Sequence, residues 1–379
     1  MKTPFGRAGN YIAQSTGYKA FVPKPLPPSP PLRIDDRMMA LLSEADRALG
    51  RLDAISDQTP NPDMFVATYV KKEAVLSSQI EGTQSSLSDL LQYEAKVYGG
   101  SRTGDVRETF NYVAAMNHGL ARLSEFPLSL RLINEIHKIL LTNVRGTEYD
   151  PGKFRSRQNW IGAKDCTLNE AYFVPPPPHE VQPQMGQLEK FLHDESPMPI
   201  LIKCGLAHAQ FETIHPYLDG NGRMGRLLIT FVLCWRNALK RPMLYLSYYF
   251  KQNRTEYYER LQAVRDKGDW EGWILFFLIG VRQVASQAAD KAKKIQELKD
   301  SHQSLIGKAS SGSGFKAVDF MFAHPYFDIN GISESISKTF PVASKLVKAM
   351  EEKGLVQEVT GHKTNRVFVY RPYLDILED

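Results

Sequence analysis

The spacing of apolar residues makes the chain a succession of helices. Within 35–49, Met38, Leu41, Leu42, Ala45 and Leu49 fall on one face at the helical period. The same reading predicts helices over 63–80, 86–98, 105–123, 129–141, 183–193, 199–214, 223–236 and from 254 to about 308. Within the last of these, 285–304 is charged and short of large apolar groups, as expected of an exposed connecting helix. Ser310-Ser-Gly-Ser-Gly314 then reads as a linker or sharp break. No repeat at solenoid periods occurs.

Three stretches depart from this pattern. Residues 1–32 have weak periodicity and end in the proline-dense Phe21-Val-Pro-Lys-Pro-Leu-Pro-Pro-Ser-Pro-Pro31. Such prolines exclude helix and favour an extended arm, either free or anchored through Val22 and Leu26. Residues 158–174 carry apolar bursts around a polar turn and run into four prolines, which predicts a β-hairpin. From 315 onward the order is helix, turn and short helix, a helix stopped by Gly354, then two strands around Gly361-His-Lys-Thr364. That is the order of a winged helix. The expected fold class is mainly α, with one β-hairpin and a C-terminal winged-helix domain. The expected units are 1–110, an arm and helical region; 111–308, the core; and 309–379, the C-terminal module.

Composition narrows the function classes a little. At 379 residues the chain is long enough for two or three domains. The best apolar run, around 273–281, is too short to cross a bilayer and reads as a buried helix, so no membrane partner is expected. No secretion signal is expected either, since no apolar stretch follows the basic N-terminal residues. Cys166, Cys204 and Cys234 match no metal or disulfide framework, so a reducing compartment, the cytoplasm, is expected. The net charge of +5 permits nucleic-acid or nucleotide binding without demanding it.

The candidate chemistry lies in His215-Pro-Tyr-Leu-Asp-Gly-Asn-Gly-Arg-Met-Gly-Arg226. An apolar helix delivers His215, and Pro216 ends it. Gly220 and Gly222 flank Asn221 and permit a nest of backbone N–H groups. A new helix begins near Arg223, so its N-terminal dipole points at the same spot. Arg223 and Arg226 share a helical face, and their guanidinium groups suit phosphate oxygens. Asp219 is the loop's one carboxylate, a candidate to hold Mg²⁺ beside a polyphosphate. Neutral His215, with an ordinary pKa of about 6.5, is a candidate general base. Each part alone has an ordinary structural reading; their arrival together in one segment favours phosphate chemistry.

This segment resembles the Fic/Doc family motif His-x-Phe-x-Asp/Glu-Gly-Asn-Gly-Arg-x-x-Arg, with Tyr217 at the phenylalanine position. Phe21-Val-Pro-Lys-Pro-Leu-Pro-Pro28, Pro151-Gly-Lys-Phe-Arg155, Asn159-Trp-Ile-Gly162, Phe173-Val-Pro-Pro176 and Tyr245-Leu-Ser247 carry the likeness over most of 20–290. The resemblance implies a Fic-type helical bundle with a β-hairpin flap. It also implies protein adenylylation: AMP passes from ATP to a tyrosine, threonine or serine hydroxyl of a target protein, or of the chain itself, and pyrophosphate leaves. By the same resemblance His215 is the base and Asp219 holds Mg²⁺. Gly220, Asn221, Gly222 and Arg223, with the following Met224 and Gly225, form the phosphate site, and Arg226 binds the γ-phosphate. Gln210 and Asn253 are expected to contact the nucleotide. The hairpin resembles the family's target-holding flap; an ordinary surface hairpin is the alternative.

A second site is Ser77-Ser-Gln-Ile-Glu81-Gly82. Glu81 falls at an expected helix C-terminus, where the dipole disfavours a carboxylate, and Gly82 suits a left-handed stop. Ser77 lies one turn earlier on the same face. A solvated helix end explains this equally well. The pattern nevertheless resembles the family's inhibitory motif, which implies that Glu81 pairs with Arg226 and blocks the γ-phosphate place. The same glutamate serves AMP removal in some family members.

In the C-terminal module, 343–348 reads as a groove helix, with Lys363 and Arg366 as wing contacts. Glu351, Glu352, Glu358, Asp375, Glu378 and Asp379 offset the basic residues, which favours a protein or dimer contact over DNA. The rival readings are a DNA-binding regulator with a nucleotide-sensing core, and a Fic enzyme with other phosphotransfer or AMP-removing chemistry.

Overall fold

The computed structural model describes residues 6–58, 62–97, 99–163, 165–307 and 312–378. Its first element is a hairpin: β1 (Gly9–Ala13) pairs antiparallel with β2 (Lys19–Pro23), with Gly9 opposite Pro23. The extended arm expected over 1–32 is therefore corrected to a hairpin followed by a proline-rich strap. Leu26 packs against the core as one of the expected anchors, and Phe21 is a deeper one. Ala20 and Phe21 are buried, while Val22 and Leu26 are only partly covered. The Phe21 N–H donates to the Val174 carbonyl at 2.9 Å, and the Phe21 ring lies 6.1 Å from that of Phe173. These are tertiary contacts, which no local pattern in 1–32 encodes.

A helical body follows: α1 (Asp36–Gln58), α2 (Pro62–Ile80), α3 (Leu87–Glu94), α4 (Thr103–Leu123), α5 (Leu130–Leu140), α6 (Pro178–His193), α7 (Ile200–Ile214), α8 (Asn221–Trp235), α9 (Ser247–Gln252), α10 (Arg254–Lys267) and α11 (Trp270–Gly307). Most ends fall within a few residues of expectation. The N-terminus of α3 is fixed by a capping box between Ser86 and Asp89. The start of α6 lies earlier than expected because Pro178 sits in the first turn, where a missing N–H costs nothing.

The central pair is α7 and α8. Every residue of α7 from Leu201 to Ile214 is buried, so the helix is covered on all sides. The loop between these two helices is the motif loop.

Helix α11 is long and apolar enough over Trp270–Ile306 to cross a membrane by length and composition. Its Trp273, Ile274, Phe277, Leu278 and Val281 are buried within the protein, as in a core helix. The exposed connecting helix expected over 285–304 is not found. Ala285, Ala288, Ala289, Ala292 and Ile295 are all buried, and α11 packs along α1. Alanine is small enough to let two helices approach closely, so a face poor in large residues is a packing face here.

The C-terminal module comprises α12 (Ser313–Ala323), β3 (Tyr326–Asp328), α13 (Ile329–Ile336), α14 (Phe340–Glu352), β4 (Gln357–Glu358), β5 (Val367–Val369) and α15 (Arg371–Glu378). Its sheet order is β3-β5-β4, antiparallel throughout. Helix, helix and hairpin follow in the expected order, with β3 as an added edge strand. Of the expected linker, Ser310 and Ser311 lie outside the described residues, while Ser313 and Gly314 already belong to α12. The module docks on the body through buried contacts. Thr68 and Tyr373 share a hydroxyl hydrogen bond of 2.8 Å, and Lys72 donates to the Leu377 carbonyl. Ser88 meets the Tyr326 hydroxyl at 2.6 Å.

Candidate active site

His215 stands at the end of α7 in the left-handed conformation, φ 49° and ψ 61°. A non-glycine residue is uncommon there and needs support from its surroundings. Arg155 supplies it. Its Nε donates to the His215 carbonyl at 2.9 Å and its Nη2 to the Pro176 carbonyl at 2.5 Å. The Asn159 amide donates to the Tyr217 carbonyl at 2.7 Å. Asn221 closes the loop from the other side: its Oδ1 accepts from the Tyr217 N–H at 2.8 Å and its Nδ2 donates to the Tyr217 carbonyl at 2.7 Å. The Asn221 side chain is thus committed to shaping the loop, and only its backbone remains for an anion.

Burial pushes the His215 imidazole down to about 3, helped by the Arg265 and Arg155 charges, while the Glu212 backbone carbonyl and the Glu81 charge pull the other way. The ring is therefore neutral at ordinary pH, the form a base requires. Its Nδ1 has no hydrogen-bond partner among the described residues.

His137 holds the acidic end of the loop. Its ring stacks on Tyr217 with centroids 3.6 Å apart. The Gly152 N–H donates to Nδ1 at 2.9 Å, so Nε2 carries the proton and donates to the Asp219 carbonyl at 3.0 Å. Burial lowers His137 to about 4 and keeps it neutral. The Asp219 carboxylate accepts from the Gly220 N–H at 2.5 Å and lies 3.5 Å from Arg223 Nη2. Arg223 is buried and donates to Glu108 at 3.0 Å.

The second arginine is held differently. Arg226 Nε donates to the Ser77 hydroxyl at 2.8 Å, and its Nη2 donates to the Ser77 carbonyl at 3.0 Å and to Glu81 Oε1 at 2.7 Å. Burial works to raise the Glu81 carboxyl, but the Arg226 charge and hydrogen bond outweigh it and hold Glu81 below the usual carboxylate range. Glu81 also lies over the start of α8. A Cβ on Gly222 would sit 2.2 Å from Glu81 Oε1. The carboxylate therefore rests in the cradle that the Gly-Asn-Gly sequence builds for an anion. At the other end of this contact, Gly82 has φ 99° and ends α2, and Arg254 donates to the Ile80 carbonyl at 3.2 Å.

His215, Gly222, Arg226 and Glu81 open onto one cavity of about 680 Å³, lined also by Glu212, Arg265, other residues of α10 and residues 160–162 and 172–173; Asp219, Gly220, Asn221 and Arg223 are not among its lining residues. Among the described residues, the expected hairpin is reduced to a single antiparallel bridge between Ile161 and Phe173. Trp160 and Tyr172 project from it, 41% and 74% exposed. Beneath it, the Arg265 guanidinium stacks on Phe173 at 3.7 Å.

Two expected contacts are placed elsewhere. Gln210 is buried and donates to the Lys24 carbonyl at 2.9 Å, tying α7 to the proline strap. Asn253 caps the junction of α9 and α10 and donates to the Tyr249 carbonyl at 3.0 Å. Neither lines the cavity. Met224 is packed in the core, and the Gly225 carbonyl accepts from His208 Nδ1 at 2.9 Å. Sequence reading missed Glu108, His137 and Glu212. Arg155 and Asn159 stand in segments that resemble the family, and their hold on the motif loop appears only in the fold.

Two models of one family match consecutive parts of the chain: the Fic/DOC family N-terminal model at residues 39–121 and the Fic/DOC family model at residues 127–233. The chain belongs to the Fic/DOC family. Among its relatives, a protein adenylyltransferase Fic of Aedes aegypti is 31% identical over 245 residues, covering 61% of this chain and 44% of that protein. A probable protein adenylyltransferase of Aquifex aeolicus is 26% identical over 204 residues, covering 53% and 57%. The chain thus spans less than two thirds of either relative. The fold is shared with a Fic family protein from Desulfovibrio desulfuricans, with a TM-score of 0.59 at 19% identity, covering 90% of this chain and 97% of that one. It is shared also with a Fic domain containing signaling protein from Bacteroides thetaiotaomicron, with a TM-score of 0.52 at 18% identity, covering 66% and 98%.

Proposed function

We propose that this chain transfers AMP from ATP to a hydroxyl group of a protein, and that Glu81 holds the reaction off. The observation that carries the reading is the seat of the Glu81 carboxylate: against Gly222, 2.7 Å from Arg226, in the same cavity as His215. A carboxylate of the chain occupies the place where a terminal phosphate would be met by a buried guanidinium and a helix N-terminus.

With Glu81 withdrawn, the terminal phosphate takes the Arg226 guanidinium and the free N–H groups at the start of α8. Neutral His215 accepts the proton of the target hydroxyl. The hydroxyl oxygen then bonds to the α-phosphorus, the bond from that phosphorus to the bridging oxygen breaks, and pyrophosphate leaves. Asp219 fits a magnesium ion shared with phosphates: its carboxylate is partly exposed at the start of α8, and one or two carboxylates suit an ion completed by phosphate oxygens and water. Such an ion supplies charge neutralisation to the phosphates. No cluster of three or more metal-ligating side chains occurs among the described residues. Trp160 and Tyr172, beside the Ile161–Phe173 bridge, offer the target an exposed edge. The docking of the C-terminal module on α2 and α3 favours a protein-contact role for that module.

The test is incubation with α-labelled ATP and Mg²⁺ of the unaltered protein, Glu81→Gly, and Glu81→Gly/His215→Ala, each with a cell extract as target. Label strongest on the second and lost on the third supports the reading. Label absent from all three overturns it in favour of a nucleotide-sensing module or another donor.

A further inference from the structure

One turn before His215, Glu212 belongs to the lining of the same cavity. The residue is 6% exposed, and its Oε1 has no hydrogen-bond partner among the described residues. A buried carboxyl oxygen without a donor is costly, so its presence points to a ligand or a proton. Gly225 records how closely this group is held: a Cβ there would lie 2.3 Å from Glu212 Oε1. Gly225 immediately precedes Arg226.

The charged and titratable groups around Glu212 come from three neighbouring elements. Arg226 faces it from α8, Glu81 from the end of α2, and Arg265, Tyr257 and Tyr258 from α10. His215 shares the cavity from the end of α7 itself. The hydrogen bonds of both guanidinium groups go elsewhere. Arg226 bonds Ser77 and Glu81, while Arg265 bonds the Thr213 hydroxyl and the Glu212 backbone carbonyl. Burial dominates and pushes the Glu212 carboxyl up to about 7, against the pull of Arg226. The group thus changes charge near neutral pH.

We propose that Glu212 is a further binding residue of the phosphate site, meeting the nucleotide's phosphates as the neutral acid, whose O–H donates a hydrogen bond to a phosphate oxygen while the proton stays on Glu212. The ionised form would set a carboxylate beside a polyanion in a buried site, where like charges repel strongly. The neutral form removes that repulsion and adds a donor. A proton from solvent is taken up at Glu212 as the nucleotide enters, and no bond to phosphorus changes. This inference rests on the nucleotide reading given above and deepens it.

Calorimetric titration tests it with ATP and Mg²⁺ on Glu81→Gly/His215→Ala, which lacks both brake and base, and on the same protein with Glu212→Gln. Each is measured in two buffers of different ionisation enthalpy. Between about pH 6 and about pH 8.5, affinity of the Glu212 protein is expected to weaken about thirtyfold, because only the protonated fraction of a group titrating near 7 is competent. Proton uptake is expected to exceed that of the Glu212→Gln protein, whose amide keeps a donor and whose affinity is expected to vary less with pH. Equal proton uptake and equal pH dependence in the two proteins would overturn the proposal. So would loss of binding on Glu212→Gln with unchanged thermal melting, because the charged form would then be the one required. Failure of both proteins to bind ATP at any pH would remove the nucleotide reading, and this inference with it.

Discussion

The guanidinium of Arg226 and the carboxylate of Glu81 meet at 2.7 Å across 145 positions of sequence. Each resolves a difficulty of the other. Arg226 is 2% exposed, and a buried cation without a counter-charge is strongly unfavourable. Glu81 follows the last residue of α2, where the helix dipole repels a carboxylate. The pair lies over Gly222, so releasing it uncovers a ready anion site.

Removing Glu81 is therefore expected to weaken the fold while freeing the site. Glu81→Gly should lose about 1–2 kcal/mol, less than a fully buried pair because the Glu81 side chain is 31% exposed. ATP with Mg²⁺ should raise the melting temperature of Glu81→Gly more than that of the unaltered protein, since a ligand stabilises only the state that binds it. Equal shifts in the two proteins would contradict the pairing of inhibition with this contact.

Ser77→Ala should release the brake in part. It removes the acceptor of the Arg226 Nε bond but leaves the Glu81 contact. A buried charged donor then goes unmet, at a cost of about 1–3 kcal/mol. Initial rates of labelling should fall between those of the unaltered protein and Glu81→Gly.

Gly222→Ala tests the crowding directly. Its Cβ would overlap Glu81 Oε1 in the unaltered protein, but with Glu81→Gly that oxygen is gone. A double-mutant cycle on thermal or denaturant unfolding should show a coupling of about 1 kcal/mol or more between positions 81 and 222. Additive effects would mean that the carboxylate does not rest in the cradle.

Arg155→Ala, placed in Glu81→Gly, should lower kcat with little change in KM for ATP. Arg155 touches the carbonyl of His215 rather than the phosphate cradle. Misplacing the base by an ångström costs on the order of a hundredfold in rate. A rise in KM at unchanged kcat would assign Arg155 to nucleotide binding.

Each of two buried histidines should weaken the fold as the solution is made acidic, beginning near neutrality, while Glu212, raised to about 7 by burial, acts in the opposite sense. His137 and His208 are fully buried, and burial lowers them to about 4 and about 3. The unfolded chain binds their protons near pH 6.5, while the folded chain refuses them until the pH falls through those lower values. Between these limits each histidine destabilises the fold by about 1.4 kcal/mol per pH unit. Denaturant unfolding of the unaltered protein and of His137→Gln should differ in slope against pH by about one proton over this window.

Much of the helical body was legible in the sequence because its apolar faces repeat at the helical period and its stops are local. The ends of α2 and α7 are cases, set by Gly82 and by the His215-Pro216 step. The motif loop was legible for the same reason, since its nest, base and arginines are consecutive. What escaped depends on distant partners. Gln210 was expected on the nucleotide, but the strap residue Lys24, 186 positions away, takes its amide. Glu108 and His137 have ordinary helical surroundings in sequence and gain their roles only where α4 and α5 face α8 and the motif loop. The alanines of α11 looked like a sparse, exposed face because sequence alone does not say that α1 comes close enough to cover them.

The N-terminal hairpin also bears on how the protein can be divided. The match to the family's N-terminal model begins at residue 39, yet Phe21 fills the space beside Phe173, and Lys24 satisfies Gln210 on the central helix. A fragment cut at that border would carry an uncovered aromatic slot next to the flap and an unmet amide inside α7. It would be a sticky, loosened version of the body, prone to associate through the hole it had gained. Borders drawn by resemblance mark where sequences stay alike; the limits of a stable piece are set by which side chains still have their cover.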